Sequence, residues 1–310
     1  MQLRKISLLI VLWLVGASAQ ASQEPQVVAS IKPLHSLAAA VMADVGEPQL
    51  LLSAGDSPHT YSMRPSDARA VRGADLVLYV SDHLEAFLKP ALEARGDQSG
   101  NMAAADMDGI TLLDGRQGAD RELSEHSNGH DHAHGHGHDH ERDYHLWLDP
   151  HNAQVIARQL ADRLAELDAA NAQKYRHNAE QLSKRLKELD ERINERLEGL
   201  KGKPYVVFHD AYQYFERRYG LQSVGVVTLT PEQQPGAGHL REIRRRMVEE
   251  DVVCVFVEPQ FEPSIVRALT RGVEVGVGEL DPIGAGLEPG PEAYFNLLEG
   301  LVESLRDCLE

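Results

Sequence analysis

The run Ala74-Asp75-Leu76-Val77-Leu78-Tyr79-Val80 is short and almost continuously apolar, with no polar alternation. Such a run is expected of a strand buried on both faces of a parallel sheet. Helical sequence follows it over 84–95, and the same strand-then-helix order precedes it, 27–31 before 34–43 and 50–53 before a helix opened by Pro65-Ser66-Asp67. The alternation returns beyond residue 200: strands over 205–208, 223–229, 252–257 and 273–277, with helices over 211–219 and 240–250, after Pro263, and over 291–309. Two mostly parallel sheets flanked by helices, an α/β class, is the economical assembly.

Between the halves lies helical sequence over 152–167 and then 169–200. In the second stretch Tyr175, Leu182, Leu186, Leu189, Ile193, Leu197 and Leu200 form one narrow apolar stripe. About 30 helical residues span about 45 Å, enough to run across two lobes. The expected division is a leader over 1–21, an N-terminal lobe over 22–168, a rigid linking helix over 169–201 and a C-terminal lobe over 202–310.

A chain of 310 residues can build cores for two such lobes. Its start has the form of a secretory signal peptide: Arg4 and Lys5, a short apolar run over 6–15, then small residues that allow cleavage near Gln20 or Ser22. Removing it takes the formal charge from −17 to about −19. Nucleic acid is therefore excluded as a partner, and the basic run Arg244-Arg245-Arg246, followed by Glu249-Glu250-Asp251, reads as a solvated helix face. Cys254 and Cys308 are the two cysteines of a chain expected to meet an oxidising compartment, so one disulfide is expected; thiolate ligation is disfavoured because neither has a CxxC partner. Such a bridge would stabilise the fold by about 4 kcal/mol at most in the chain-entropy treatment.

The periodicity vanishes over about 115–142. Here His130, His132, His134, His136, His138 and His140 alternate with Gly, Asp and Ala, a composition suited to weak, fast-exchanging metal capture and unable to build a packed core. Order returns at Tyr144-His145-Leu146-Trp147-Leu148-Asp149-Pro150. In open α/β sheets ligands bind beyond the carboxyl ends of strands. His59, His209 and Asp281 each follow a strand, and His145 is fixed by apolar neighbours. Three imidazoles and a carboxylate would satisfy a four-coordinate zinc, although each histidine alone could equally be a hydrogen-bonded strand-end residue. His35, His83, His151, His177 and His239 carry no such signal.

The segments His59-Thr60-Tyr61-Ser62-Met63-Arg64-Pro65-Ser66-Asp67, His145-Leu146-Trp147-Leu148-Asp149-Pro150, Phe208-His209-Asp210-Ala211-Tyr212, Glu258-Pro259-Gln260-Phe261 and Leu280-Asp281-Pro282 resemble those of the zinc-binding solute-binding proteins of ABC importers, the ZnuA type. The resemblance spans nearly the whole mature chain. It implies two lobes joined by a long helix, Zn²⁺ in the cleft between them as the transported ligand, and a periplasmic, non-enzymatic protein that delivers it to an inner-membrane ABC permease. A monomer is expected, and a periplasmic zinc chaperone is a further candidate partner. By the resemblance His59, His145 and His209 are ligands and Asp281 holds the position of an acidic fourth. Manganese-binding relatives carry a carboxylate where His209 stands, and the extra imidazole favours zinc. Some zinc members have an acidic residue just before the first histidine; here Pro58 leaves the fourth place to Asp281 or water. The cysteine pair resembles that of the zinc type as well. A secreted zinc hydrolase is disfavoured, because there is no HExxH and no Glu at a spacing that marks a general base beside a candidate ligand. A metal buffer or adhesin without a permease is the remaining alternative.

Overall fold

A computed structural model describes residues 24–95, 100–116, 142–228, 235–261 and 264–310. The leader and the histidine tract lie outside the described residues. The first half contributes β1 (Val27–Ala29), β2 (Gln49–Leu50), β3 (Leu76–Tyr79) and β4 (Asn101–Ala103) to an all-parallel sheet of order β2-β1-β3-β4. Its helices are α1 (Lys32–Val41), α2 (Pro65–Gly73) and a short α3 (Lys89–Glu93). The helix expected over 84–95 is broken into a 3-10 turn at Ala86–Leu88 and α3. Pro90, which has no N–H to donate, stands at the start of α3, where a helix tolerates it.

Chain order continues through β5 (Leu113–Asp114) and β6 (Arg142–Asp143), which pair antiparallel, to α4 (Pro150–Leu167) and the long α5 (Ala172–Leu197). The 26 residues of α5 make a rod of about 39 Å. Its apolar stripe is buried against α4, α1 and the last helix. The second half then supplies β7 (Tyr205–His209), α6 (Gln213–Tyr219), β8 (Gly225–Thr228), α7 (Ala237–Glu249), β9 (Cys254–Val257), α8 (Ser264–Thr270), β10 (Gly276–Glu279) and α9 (Ala293–Leu309). Its sheet is again all parallel, in the order β10-β9-β7-β8.

The last strand sits three residues later than its Val-rich sequence suggests, beginning at Gly276 rather than Val273. Val273 closes the turn after α8, its N–H donating to Thr270 O, so the ladder with β9 begins only at Gly276 opposite Cys254, whose disulfide to Cys308, Cα to Cα 5.9 Å, pins α9 beside it. A Cβ at Gly276 would come within 2.9 Å of Cys308 Sγ, and one at Gly278 within 2.7 Å of the Phe256 ring. Glycine is what lets the bridge approach the edge of the sheet.

One continuous apolar core runs through both halves, from Leu34 and Leu78 through Trp147 to Tyr205, Phe256 and Tyr294. Hydrogen bonds stitch across it. Trp147 Nε1 donates to Pro282 O at 2.7 Å, Tyr294 Oη donates to Trp147 O at 2.7 Å, and Tyr214 Oη donates to Asp143 O at 2.6 Å. The segment carrying His145 is thereby bound into the second half.

Candidate metal centre

Each histidine is delivered by a different kind of local structure. His209 is the last residue of β7, 2% exposed. Because β9 pairs with β7 in parallel, the residue that follows β9, Glu258, arrives at the same sheet end. Its Oε1 accepts from His209 Nδ1 at 2.6 Å and from Tyr212 Oη at 3.1 Å. His145 precedes a buried 3-10 turn, Leu146–Leu148, whose first carbonyl accepts from Asn152 Nδ2. Asp143 Oδ1 accepts from both the backbone N–H and the Nδ1 of His145, each within 2.9 Å. His59 lies on the loop between β2 and α2, half-buried, its backbone N–H directed at Ser57 Oγ. Just beyond it, Tyr61 Oη and the Arg64 N–H both donate to Asp67 on α2, which anchors the loop.

The three rings converge. The Nε2 atoms of His59 and His209 lie 3.3 and 3.2 Å from His145 Nε2, and one nitrogen of each ring falls within 4.8 Å of the others. With Nδ1 of His145 and of His209 donated to carboxylates, their Nε2 atoms present lone pairs to each other, an arrangement that calls for a cation between them. Tetrahedral zinc with Zn–N bonds of about 2.05 Å sets its nitrogens about 3.4 Å apart. Both separations from His145 fit that edge. Burial, then repulsion from His145 and His209, pushes the His59 pKa down to about 2. Burial and His145 hold His209 well below the ordinary imidazole value, and burial raises Glu258. His59 and His209 are thus neutral at physiological pH, the form that ligates a metal. The space beside the rings is about 10 Å³, too small for an organic ligand. A cavity of about 500 Å³ against α5, walled by Asp149, Asp190 and Arg218 among others, carries no histidine.

Asp281 does not join this cluster. Its carboxylate caps its own turn, accepting from the N–H groups of Ile283, Gly284 and Ala285 at 3.2, 2.9 and 2.5 Å, and from Gln260 Nε2 at 2.8 Å. Strand-end position placed Asp281 in the right neighbourhood, but an acceptor with four donors is already committed. The set-aside histidines lie elsewhere: His35 Nε2 meets Pro48 O, His83 stacks on Tyr144, and His239 Nε2 meets Val226 O.

Two functional residues escaped sequence reasoning. Asp143 was signalled only by its Asp-x-His spacing, and Glu258 by its strand-end position and the Glu258-Pro259-Gln260-Phe261 segment, neither of which gave it a role. No sequence spacing put a Glu beside a ligand, yet the fold puts Glu258 there. It binds Nδ1, the far side of the ring from the converging nitrogens, and so orients His209.

The family model described as zinc-uptake complex component A, periplasmic, matches residues 27–308. The chain belongs to the ZnuA family. It is 38% identical over 313 residues to the high-affinity zinc uptake system protein ZnuA of Brucella abortus, with 94% of each chain covered. Against the protein of the same name from Yersinia pestis it is 38% identical over 290 residues, covering 92% of this chain and 91% of the other. A crystal structure of ZnuA superposes with a TM-score of 0.77 at 23% identity, over 93% of this chain and all of that one, which shows a shared fold. ZnuA-family proteins are zinc-uptake components that work with an ABC transporter; they are solute-binding proteins and not enzymes.

Proposed function

We propose that this chain captures Zn²⁺ with His59, His145 and His209 and hands it to an inner-membrane ABC permease. The reading is carried by one observation, the convergence of three imidazole nitrogens from three separate segments to within 4.8 Å of one another. It is supported by the resident carboxylates on His145 and His209, which fix the tautomers a metal needs. The protein works in the periplasm after loss of residues 1–21, as a monomer, with a periplasmic zinc chaperone as a second partner. The tract from His130 to His140 is accessory, a weak collector near the cleft between the N-terminal (22–168) and C-terminal (202–310) lobes. Chelator competition on the His59→Ala, His145→Ala and His209→Ala variants tests it. Each should bind zinc far more weakly than His177→Ala or His239→Ala, and five equal affinities would refute the ligand set.

A further inference from the structure

The turn that Asp281 caps is saturated from both sides. While the Asp281 carboxylate takes its N–H groups, the buried ammonium of Lys32, reaching over from α1, donates to the carbonyls of Gly284, Ala285 and Leu287. Swinging Asp281 onto a metal would strand three backbone donors and loosen a turn that Lys32 grips from the other half. Gln260 is differently placed. It lines the same small cavity as His59, His145, His209 and Glu258. Its Nε2 donates to Asp281 Oδ1 at 2.8 Å. A carboxylate can only accept, so Asp281 dictates which end of the amide faces it. The other end, Oε1, is buried and without a hydrogen-bond partner among the described residues, and so is Glu258 Oε2 two positions earlier. Buried acceptors in native proteins are almost always satisfied. Three imidazoles leave a four-coordinate zinc one place short, and a water in that place carries two O–H donors.

We infer that Gln260 holds a water that completes the zinc shell, and that Asp281 acts on the metal only by aiming the Gln260 amide. Gln260 and Asp281 are thus positioning residues. The inference rests on the three-histidine reading above. The test uses the full mature chain, with Zn²⁺ for affinity by chelator competition and Co²⁺ for the visible spectrum as a function of pH. Gln260→Leu should weaken zinc by roughly 10–100-fold, as loss of an outer-shell partner does, and shift the pH at which the cobalt spectrum changes. Asp281→Asn, which frees the amide to turn over, should move both readouts in the same direction, and the double variant should be little worse than Gln260→Leu. If Gln260→Leu binds zinc within twofold of the parent with an unmoved cobalt profile, the inference is overturned. It is equally overturned if Asp281→Asn loses far more zinc affinity than Gln260→Leu, since Asp281 would then be a ligand itself. Failure of the parent to bind zinc tightly would instead refute the three-histidine reading.

Discussion

His209 and His59 face each other across the centre and are held in opposite ways. His209 ends a central strand and is almost wholly buried, its ring fixed by Glu258 and its neighbour Tyr212 tied to the same carboxylate. His59 rides on a loop, half-buried, and no carboxylate holds its ring among the described residues. His145 belongs with His209, since Asp143 fixes its ring and Trp147 and Tyr214 sew its segment into the second half. The centre is therefore a pair held by carboxylates plus a third imidazole carried on a loop. Preorganisation lowers the ordering cost of binding, so the fixed pair should carry most of the affinity and the loop histidine should govern entry and exit.

The largest expected effect follows directly. His209→Ala and His145→Ala should each cost more zinc affinity than the roughly 10–100-fold typical of outer-shell losses, and His59→Ala should cost less than either while raising the zinc dissociation rate. Stopped-flow release into a chelator measures both quantities. A His59 variant as damaged as the His209 variant would erase the distinction. Next in size, Glu258→Gln should weaken zinc by roughly 10–100-fold, because a neutral amide oxygen is a poorer acceptor for His209 Nδ1–H than a carboxylate; an unchanged affinity would show that the ring is held by packing alone.

The pH response sharpens the comparison further. Competition by protons at ordinary imidazoles would begin near pH 6.5, but folded His59 stays neutral until about pH 2. Once unfolded it takes up a proton as the pH falls below 6.5, so the folded state alone forgoes that proton. Stability of the metal-free protein is therefore full above that pH and lost as the pH drops, by about 2 kcal/mol between pH 7.5 and 5 for this one residue. Urea unfolding in the presence of a chelator should show a shallower slope for His59→Ala than for the parent; identical slopes would mean that His59 is not held unprotonated by the fold. The smallest effect concerns the tract. Deleting residues 117–141 should leave one tight zinc site and remove only weaker ones, and titration calorimetry that finds the tight site gone would overturn the accessory assignment.

How much of this was legible follows from where each signal resides. Strands such as Leu76–Tyr79 and the stripe on α5 are local patterns, and they appear where the sequence places them. His209 was readable because a buried strand leads into it. Glu258 was not, since its meeting with His209 depends on β9 lying beside β7, a fact of topology. Asp143 depends on a pairing between β5 and β6 across residues 115–141, which no window of sequence contains. Asp281 was placed by its position after a strand, and what spacing could not express is that its carboxylate closes its own turn. β10 was displaced in the reading because Gly276 and Gly278, weak strand formers, are required by the nearby disulfide.

The β5–β6 pair also makes the protein divisible. Leu113 stands opposite Asp143 and Asp114 opposite Arg142, with an ion pair of 2.9 Å joining Arg142 to Asp114. The two strands form one narrow seam that holds residues 114 and 142 roughly 5 Å apart. The seam ends two residues before His145, so a fluorescent reporter grafted between Asp114 and Arg142 would sit next to the metal-holding pair, turning the carrier into a zinc gauge.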